Sequence, residues 1–120
     1  MTDTVGTVSE VLSIDELAGG SGTALFVGRD HGASVSFFVS RHTEPGKGPD
    51  LHRHPYEETF VILDGSATFT VDGRTIDAAA GTILVVPTGA AHKFKTGPAG
   101  MRSVNIHGSD RMIQEDLPEP

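Results

Sequence analysis

His52 and His54 are two residues apart, so on a strand both side chains leave by the same face. Their imidazoles can then meet one metal ion. Glu58 shares their parity, but four residues of straight strand span roughly 13 Å. Its carboxylate joins the histidines only if the chain turns between them. Pro55-Tyr56-Glu57 can form that turn, with Glu58 opening the next strand. His92 is a fourth candidate. It follows a second turn, Pro87-Thr88-Gly89, and starts a strand containing Phe94.

The elements that must position these residues are short strands. The chain has 120 residues, room for one small domain, 1–120, with one core. Gly 15 and Pro 7 exceed ordinary usage without any repeat or tract, which predicts many turns. Alternating apolar residues predict strands over Thr23 to Val27, Ala33 to Arg41, Thr59 to Leu63 and Ala67 to Val71. Further strands are predicted over Arg74 to Ile76, Ile83 to Val86, Ala91 to Lys95 and Met101 to Ile106. Asp64-Gly65 and Asp72-Gly73 read as hairpin turns. Ser13-Ile14-Asp15-Glu16 reads as a capping box opening a helix that Gly19-Gly20 stops after about one turn. The core is expected over 23–108, with a loose arm at 1–7 and a fraying tail at 117–120. Strands this short and close need a sandwich or barrel to bury one face, so the class is all-β.

Composition excludes much else. Nine basic and 16 acidic side chains give a formal charge of −7, unfavourable for nucleic acid or an anionic membrane. Cys is 0, which excludes disulfides, thiolate nucleophiles and cysteine zinc sites. Its absence, with no signal peptide at Met1 to Glu10, fits a cytoplasmic protein. No apolar run approaches the roughly 20 residues of a membrane span. There is no Gly-x-Ser-x-Gly elbow and no phosphate-cradling loop; Gly46-Lys47-Gly48 reads as a flexible turn.

Gly46-x5-His52-x-His54-x3-Glu58-x6-Gly65 resembles the first motif of the cupin superfamily, and Gly81-x5-Pro87-x-Gly89-x2-His92 resembles the second. The 15 residues between Gly65 and Gly81 resemble the compact spacing of small single-domain cupins. Thr96 stands where the second motif often ends in Asn, a position that is not a ligand. The resemblance covers Gly46 to Thr96. It implies a double-stranded β-helix, the jelly-roll barrel of two facing antiparallel sheets, with a metal inside. It also implies that His52, His54, Glu58 and His92 are the ligands. Glu57 has the wrong parity and the wrong distance to Gly65, and reads as a solvated surface carboxylate.

Three neutral imidazoles and one carboxylate suit a single divalent transition metal, Fe, Zn, Mn, Ni, Co or Cu, rather than Mg or Ca, without choosing among them. In an octahedral ion two positions stay open. A redox metal there could activate dioxygen; a non-redox metal could polarise a carbonyl or enolate, or acidify a water. The favoured expectation is a metal-dependent enzyme of the dioxygenase type. The alternatives are a non-redox isomerase, lyase or polyketide cyclase, and a barrel that binds a small ligand without turnover.

Other residues are weaker candidates. Tyr56 is either a general acid near the metal or a turn residue packed on the barrel mouth. Phe38, Phe60, Ile62, Val85 and Phe94 are candidates to line the cavity, and His107 either lines it or sits at a rim or interface. Such a cavity suits a small, partly apolar substrate. His31 and His42 read as surface residues, as do Arg41 and Arg102, and Lys93 and Lys95 should face outward. A homodimer is expected, with the segment from Val8 to Leu17 adding a strand to a partner's open sheet edge.

Overall fold

The computed structural model describes residues 10–119; the arm expected at 1–7 lies outside them. Eight strands follow one short helix, α1 (Ile14–Ala18): β1 (Ala24–Phe26), β2 (Ser36–His42), β3 (His52–Arg53), β4 (Glu58–Val71), β5 (Arg74–Ala79), β6 (Ile83–Val86), β7 (His92–His107) and β8 (Glu115–Asp116). Ser13 Oγ accepts from the Glu16 amide at 3.4 Å, and Gly19 ends the helix at φ +58°. The helix therefore removes Ile14 to Leu17 from the strand expected to reach a partner. Val8 and Ser9 lie outside the described residues.

Two long strands organise everything else. β4 and β7 run antiparallel from Glu58 opposite His107 to Val71 opposite His92. In a straight ribbon Glu58 and His92 would be roughly 43 Å apart. Instead their side chains touch at 3.0 Å, so the strand pair must double back on itself. On one side of the bend the order is β1-β2-β7-β4-β6, and on the other β8-β3-β7-β4-β5. The result is a curled antiparallel sheet whose two halves face each other, a jelly-roll barrel.

The bend is legible in the register. Pairing slips between Ile62 and Asp64, and again between Gly65 and Ala67, where Ser66 alone faces Gly97 to Gly100. Pro98 falls in that bulge, where no ladder donor is required of it. Gly65 has φ +71°, and a Cβ there would meet the Gly100 carbonyl oxygen at 2.2 Å; at Gly100 (φ +76°) a Cβ would meet the His42 carbonyl oxygen at 2.0 Å. Three backbones thus cross in contact, which only glycine permits. This corrects two expectations. Asp64-Gly65 is a bulge inside one strand, not a hairpin, and Ala91 to Lys95 continues into Met101 to Ile106. Asp72-Gly73 is the true hairpin turn, with φ +48° and +79° as a type I′ turn requires.

Side-chain parity switches across the bend. Glu58, Phe60 and Ile62 are buried before it, Ala67 and Phe69 after it. β7 likewise buries His92, Phe94 and Thr96, then Met101, Ser103, Asn105 and His107. The apolar core lies between the two halves around Phe60, Ile62, Phe69, Val86, Phe94 and Met101. At the C-terminus Leu117 N–H bonds the Leu51 carbonyl at 3.0 Å, and the Glu119 carboxylate takes Leu51 N–H at 3.1 Å and Lys93 Nζ. Within the tail expected to fray, these two residues are tied to the strand that carries His52.

The bend predicts a contrast. Gly73→Ala, at φ +79° with open space around it, should cost only the left-handed backbone penalty of about 1–2 kcal/mol. Gly65→Ala adds the backbone collision and should cost more than about 3 kcal/mol. Urea unfolding of both variants checks this; equal losses would mean that the bend relaxes freely.

Candidate metal centre

The doubling back delivers four ligand-type side chains to one point. His52 lies on β3, Glu58 opens β4, His92 opens β7, and His54 sits in the turn between β3 and β4. All four are buried, and their ligand atoms lie within 4.8 Å of one another. Glu58 Oε1 stands 3.0 Å from His92 Nε2 and 3.2 Å from His54 Nε2. His52 pairs with His92 across the β3–β7 ladder. Glu57 is exposed.

Each of the three rings is held from behind. Nδ1 of His52 bonds the Asp50 carbonyl at 2.7 Å, Nδ1 of His54 the Ile113 carbonyl at 2.7 Å, and Nδ1 of His92 the Ala90 carbonyl at 2.8 Å. A carbonyl oxygen only accepts, so the ring hydrogen sits on Nδ1 and the Nε2 lone pair is left for the centre. At 3.0 Å, His92 Nε2 and Glu58 Oε1 need either a proton or a metal ion between them. His54 Nε2 is buried and makes no hydrogen bond in the chain. A divalent transition metal fits this donor set: imidazole lone pairs and a carboxylate converging in a buried place.

The electrostatics favour an ionised carboxylate surrounded by positive charge. Burial alone would raise the Glu58 pKa, but contacts with His107, His54 and His92 hold it far below the ordinary carboxylate range. At His54 burial lowers the imidazole pKa, yet the Glu58 carboxylate and the Ile113 carbonyl outweigh it and the net direction is up. At His52 burial is the largest influence and the pKa falls.

A cavity of ≈ 230 Å³ adjoins the centre. His52 and Glu58 reach its wall with Phe38, Phe60, Phe94 and His107, as do the polar side chains Ser40, Asn105 and Gln114. Four of the six pocket candidates are therefore on the cavity wall. Ile62 is instead in the core behind it. Val85 is 59% exposed, because on β6 it is Leu84 and Val86 that point inward. Tyr56 is buried, its hydroxyl 2.8 Å from His107 Nδ1. Arg41, Arg102 and Lys95 are exposed and Lys93 partly so. His42, expected on the surface, lines the cavity, packs edge-on against Phe94 at 6.1 Å, and has its pKa lowered by burial. His31 is partly buried, stacked on Phe26 at 4.6 Å.

Sequence reasoning missed Ser40, Asn105 and Gln114. Ser40 shares the parity of Phe38, and Asn105 that of His107, so alternation offered a signal for both. Asn105 Nδ2 donates to Ser40 Oγ at 3.3 Å and its Oδ1 accepts from Ser103 Oγ at 2.7 Å. Gln114 and the Ile113 carbonyl lie in the C-terminal segment, where no local pattern points to the site.

Fold and site together define a β-barrel with an interior centre of three histidines and one carboxylate. The chain belongs to the cupin family: the cupin domain model matches residues 40–106, more than half of it. It is 38% identical over 58 residues to the dimethylsulfoniopropionate lyase DddW of Ruegeria pomeroyi, covering 48% of this chain and 38% of the lyase. It is 32% identical over 65 residues to the polyketide synthase CurC of Streptomyces cyaneus, covering 53% of this chain and 42% of that protein. The chain thus spans well under half of each. Oxalate decarboxylase of Bacillus subtilis superposes with TM-score 0.77 at 21% identity, over 94% of this chain and 33% of the enzyme, a likeness of fold. Among the described residues no helix is long and apolar enough to cross a membrane.

Metal binding predicts a sharp division among acidic and basic variants. His92→Ala and Glu58→Gln should weaken zinc or manganese binding by at least about 100-fold, more than outer partners usually cost, while Glu57→Gln should leave it unchanged. Titration calorimetry reads the affinities. Saturating metal should also raise the melting temperature of the unaltered chain, and no shift would count against the site.

Proposed function

We propose that the chain is a metal-dependent enzyme acting on a small organic molecule by the non-redox chemistry of a lyase, isomerase or cyclase. One observation carries this reading. Three imidazoles, each aimed by a backbone carbonyl, meet Glu58 beside a cavity that His52 and Glu58 themselves help to line. A divalent metal held there supplies Lewis-acid polarisation of a substrate oxygen or, where it is redox-active, electron exchange with dioxygen. The residues of the chain do the rest. Phe38, Phe60 and Phe94 exclude water from an apolar body, and Asn105 and Gln114 offer amides to its polar end. At ≈ 230 Å³ the space holds only about eight waters' worth of volume, so the substrate is small.

The names of the relatives support the non-redox class: a lyase, a polyketide synthase and, in fold, a decarboxylase. The decarboxylase is described with Mn(II) centres, which supports a transition metal without selecting one. The dioxygenase expected from the sequence is the second reading, favoured by a donor set that suits iron equally well. A cysteine-free chain needs no oxidising compartment, which supports a cytoplasmic setting.

A panel of small carboxylates, diketones and phenols, followed by mass spectrometry with an oxygen electrode, separates the readings. Conversion should consume no oxygen, stop on chelation and return with added metal. Oxygen uptake matching product would install the dioxygenase; binding without conversion would leave a ligand-binding barrel.

The reading includes a homodimer. β6 pairs only with β4 among the described residues and shows Ile83 (68% exposed) and Val85 outward, an edge that favours cover. Sedimentation equilibrium should give twice the chain mass of 12.6 kDa, and a monomer at that mass would remove this part.

A further inference from the structure

Four buried imidazoles share this site, and their hydrogen bonds divide them three to one. His52, His54 and His92 each engage a backbone carbonyl through Nδ1. His107 instead meets a hydroxyl, with Tyr56 Oη 2.8 Å from its Nδ1. The same oxygen accepts from the Ile113 N–H at 3.3 Å. A backbone N–H only donates, so the phenol keeps its own hydrogen for another partner, and His107 Nδ1 is the acceptor beside it. The neutral His107 ring therefore carries its hydrogen on Nε2, the reverse of the other three. Three rings present lone pairs and the fourth presents a donor.

That Nε2 is buried and makes no hydrogen bond in the chain. Glu58 Oε2 stands 3.2 Å away but outside hydrogen-bond geometry. A buried donor without an aligned acceptor is unfavourable, and His107 lies on the cavity wall, where a bound molecule can supply one. Charge says which kind. A divalent cation among three neutral imidazoles and one carboxylate leaves one positive charge in a buried place, which a singly charged anion would balance. We propose that His107 Nε2–H anchors an oxygen of a small carboxylate substrate in this cavity, and that Tyr56 is the positioning residue that sets its tautomer. The proposal rests on the metal-dependent reading above.

The test measures zinc and carboxylate binding separately by calorimetry, using propionate and benzoate as probes. His107→Leu should weaken either probe about 10-fold to 100-fold in zinc-saturated protein, a larger loss than any in zinc affinity. His107→Gln, which restores an N–H, should recover most of the loss and guards against misfolding as the cause. If His107→Leu lowers zinc affinity but leaves probe affinity intact, His107 only steadies Glu58 and the proposal falls while the metal centre stands. If the unaltered chain takes up no zinc, both fall. In ¹⁵N spectra of the zinc-loaded protein, the His107 hydrogen should reside on Nε2 and lose that bias in Tyr56→Phe. A hydrogen on Nδ1 overturns the assignment to Tyr56.

Discussion

Glu58 and His92 belong to opposite ends of one antiparallel strand pair, and they touch because that pair folds over on itself. Everything near the candidate metal centre inherits this constraint. The fold-over needs a place where β4, β7 and β2 cross at backbone contact, which Gly65 and Gly100 provide. It also needs the side-chain parity of both long strands to switch, so that inward residues stay inward on either side of the bend. The two register slips, one at Leu63 and one opposite Ser66, together accomplish that switch. Without it, either Glu58 and Phe60 or Ala67 and Phe69 would face water.

Once the ligands are together, backbone carbonyls decide what they can do. Two anchors, Asp50 and Ala90, sit two residues before the histidines they hold, in the segments entering β3 and β7. The third, Ile113, comes from the far end of the chain. The same residue also reaches Tyr56 through its N–H. The C-terminal segment is thereby part of the site, and β8 pairing with β3 holds it in place. Arg53 and Glu115 add an ion pair at 2.9 Å, but both groups are well exposed and the contact is worth little beside the backbone ladder.

The cavity combines two sequence patterns that look unrelated along the chain. Aromatic residues come from β2, β4 and β7, whereas the polar group Ser40, Ser103 and Asn105 comes from β2 and the second half of β7. Buried polar groups in a chain this size carry a cost unless they bond each other. These three do so while leaving Asn105 at the wall. A wall with aromatic and amide surfaces suits a molecule with one apolar and one polar end.

By itself the sequence determined the class of fold, the identity of the four converging residues and the exclusion of thiol chemistry. Turn signals and alternation are local, and the two motifs carry ligand types at fixed offsets. Only the tertiary structure decided that Asp64-Gly65 is a bulge rather than a hairpin. The dipeptide has the same chemistry in both, and the difference lies in what passes beside it. Tertiary packing likewise turned Val85 outward, moved Ile62 behind the cavity wall and brought His42 into it. It also supplied the partners of His107, already a cavity candidate by sequence: Tyr56 and Glu58 lie about fifty residues away in the chain. Parity says which face a side chain leaves by; only the closed barrel says what waits on that face.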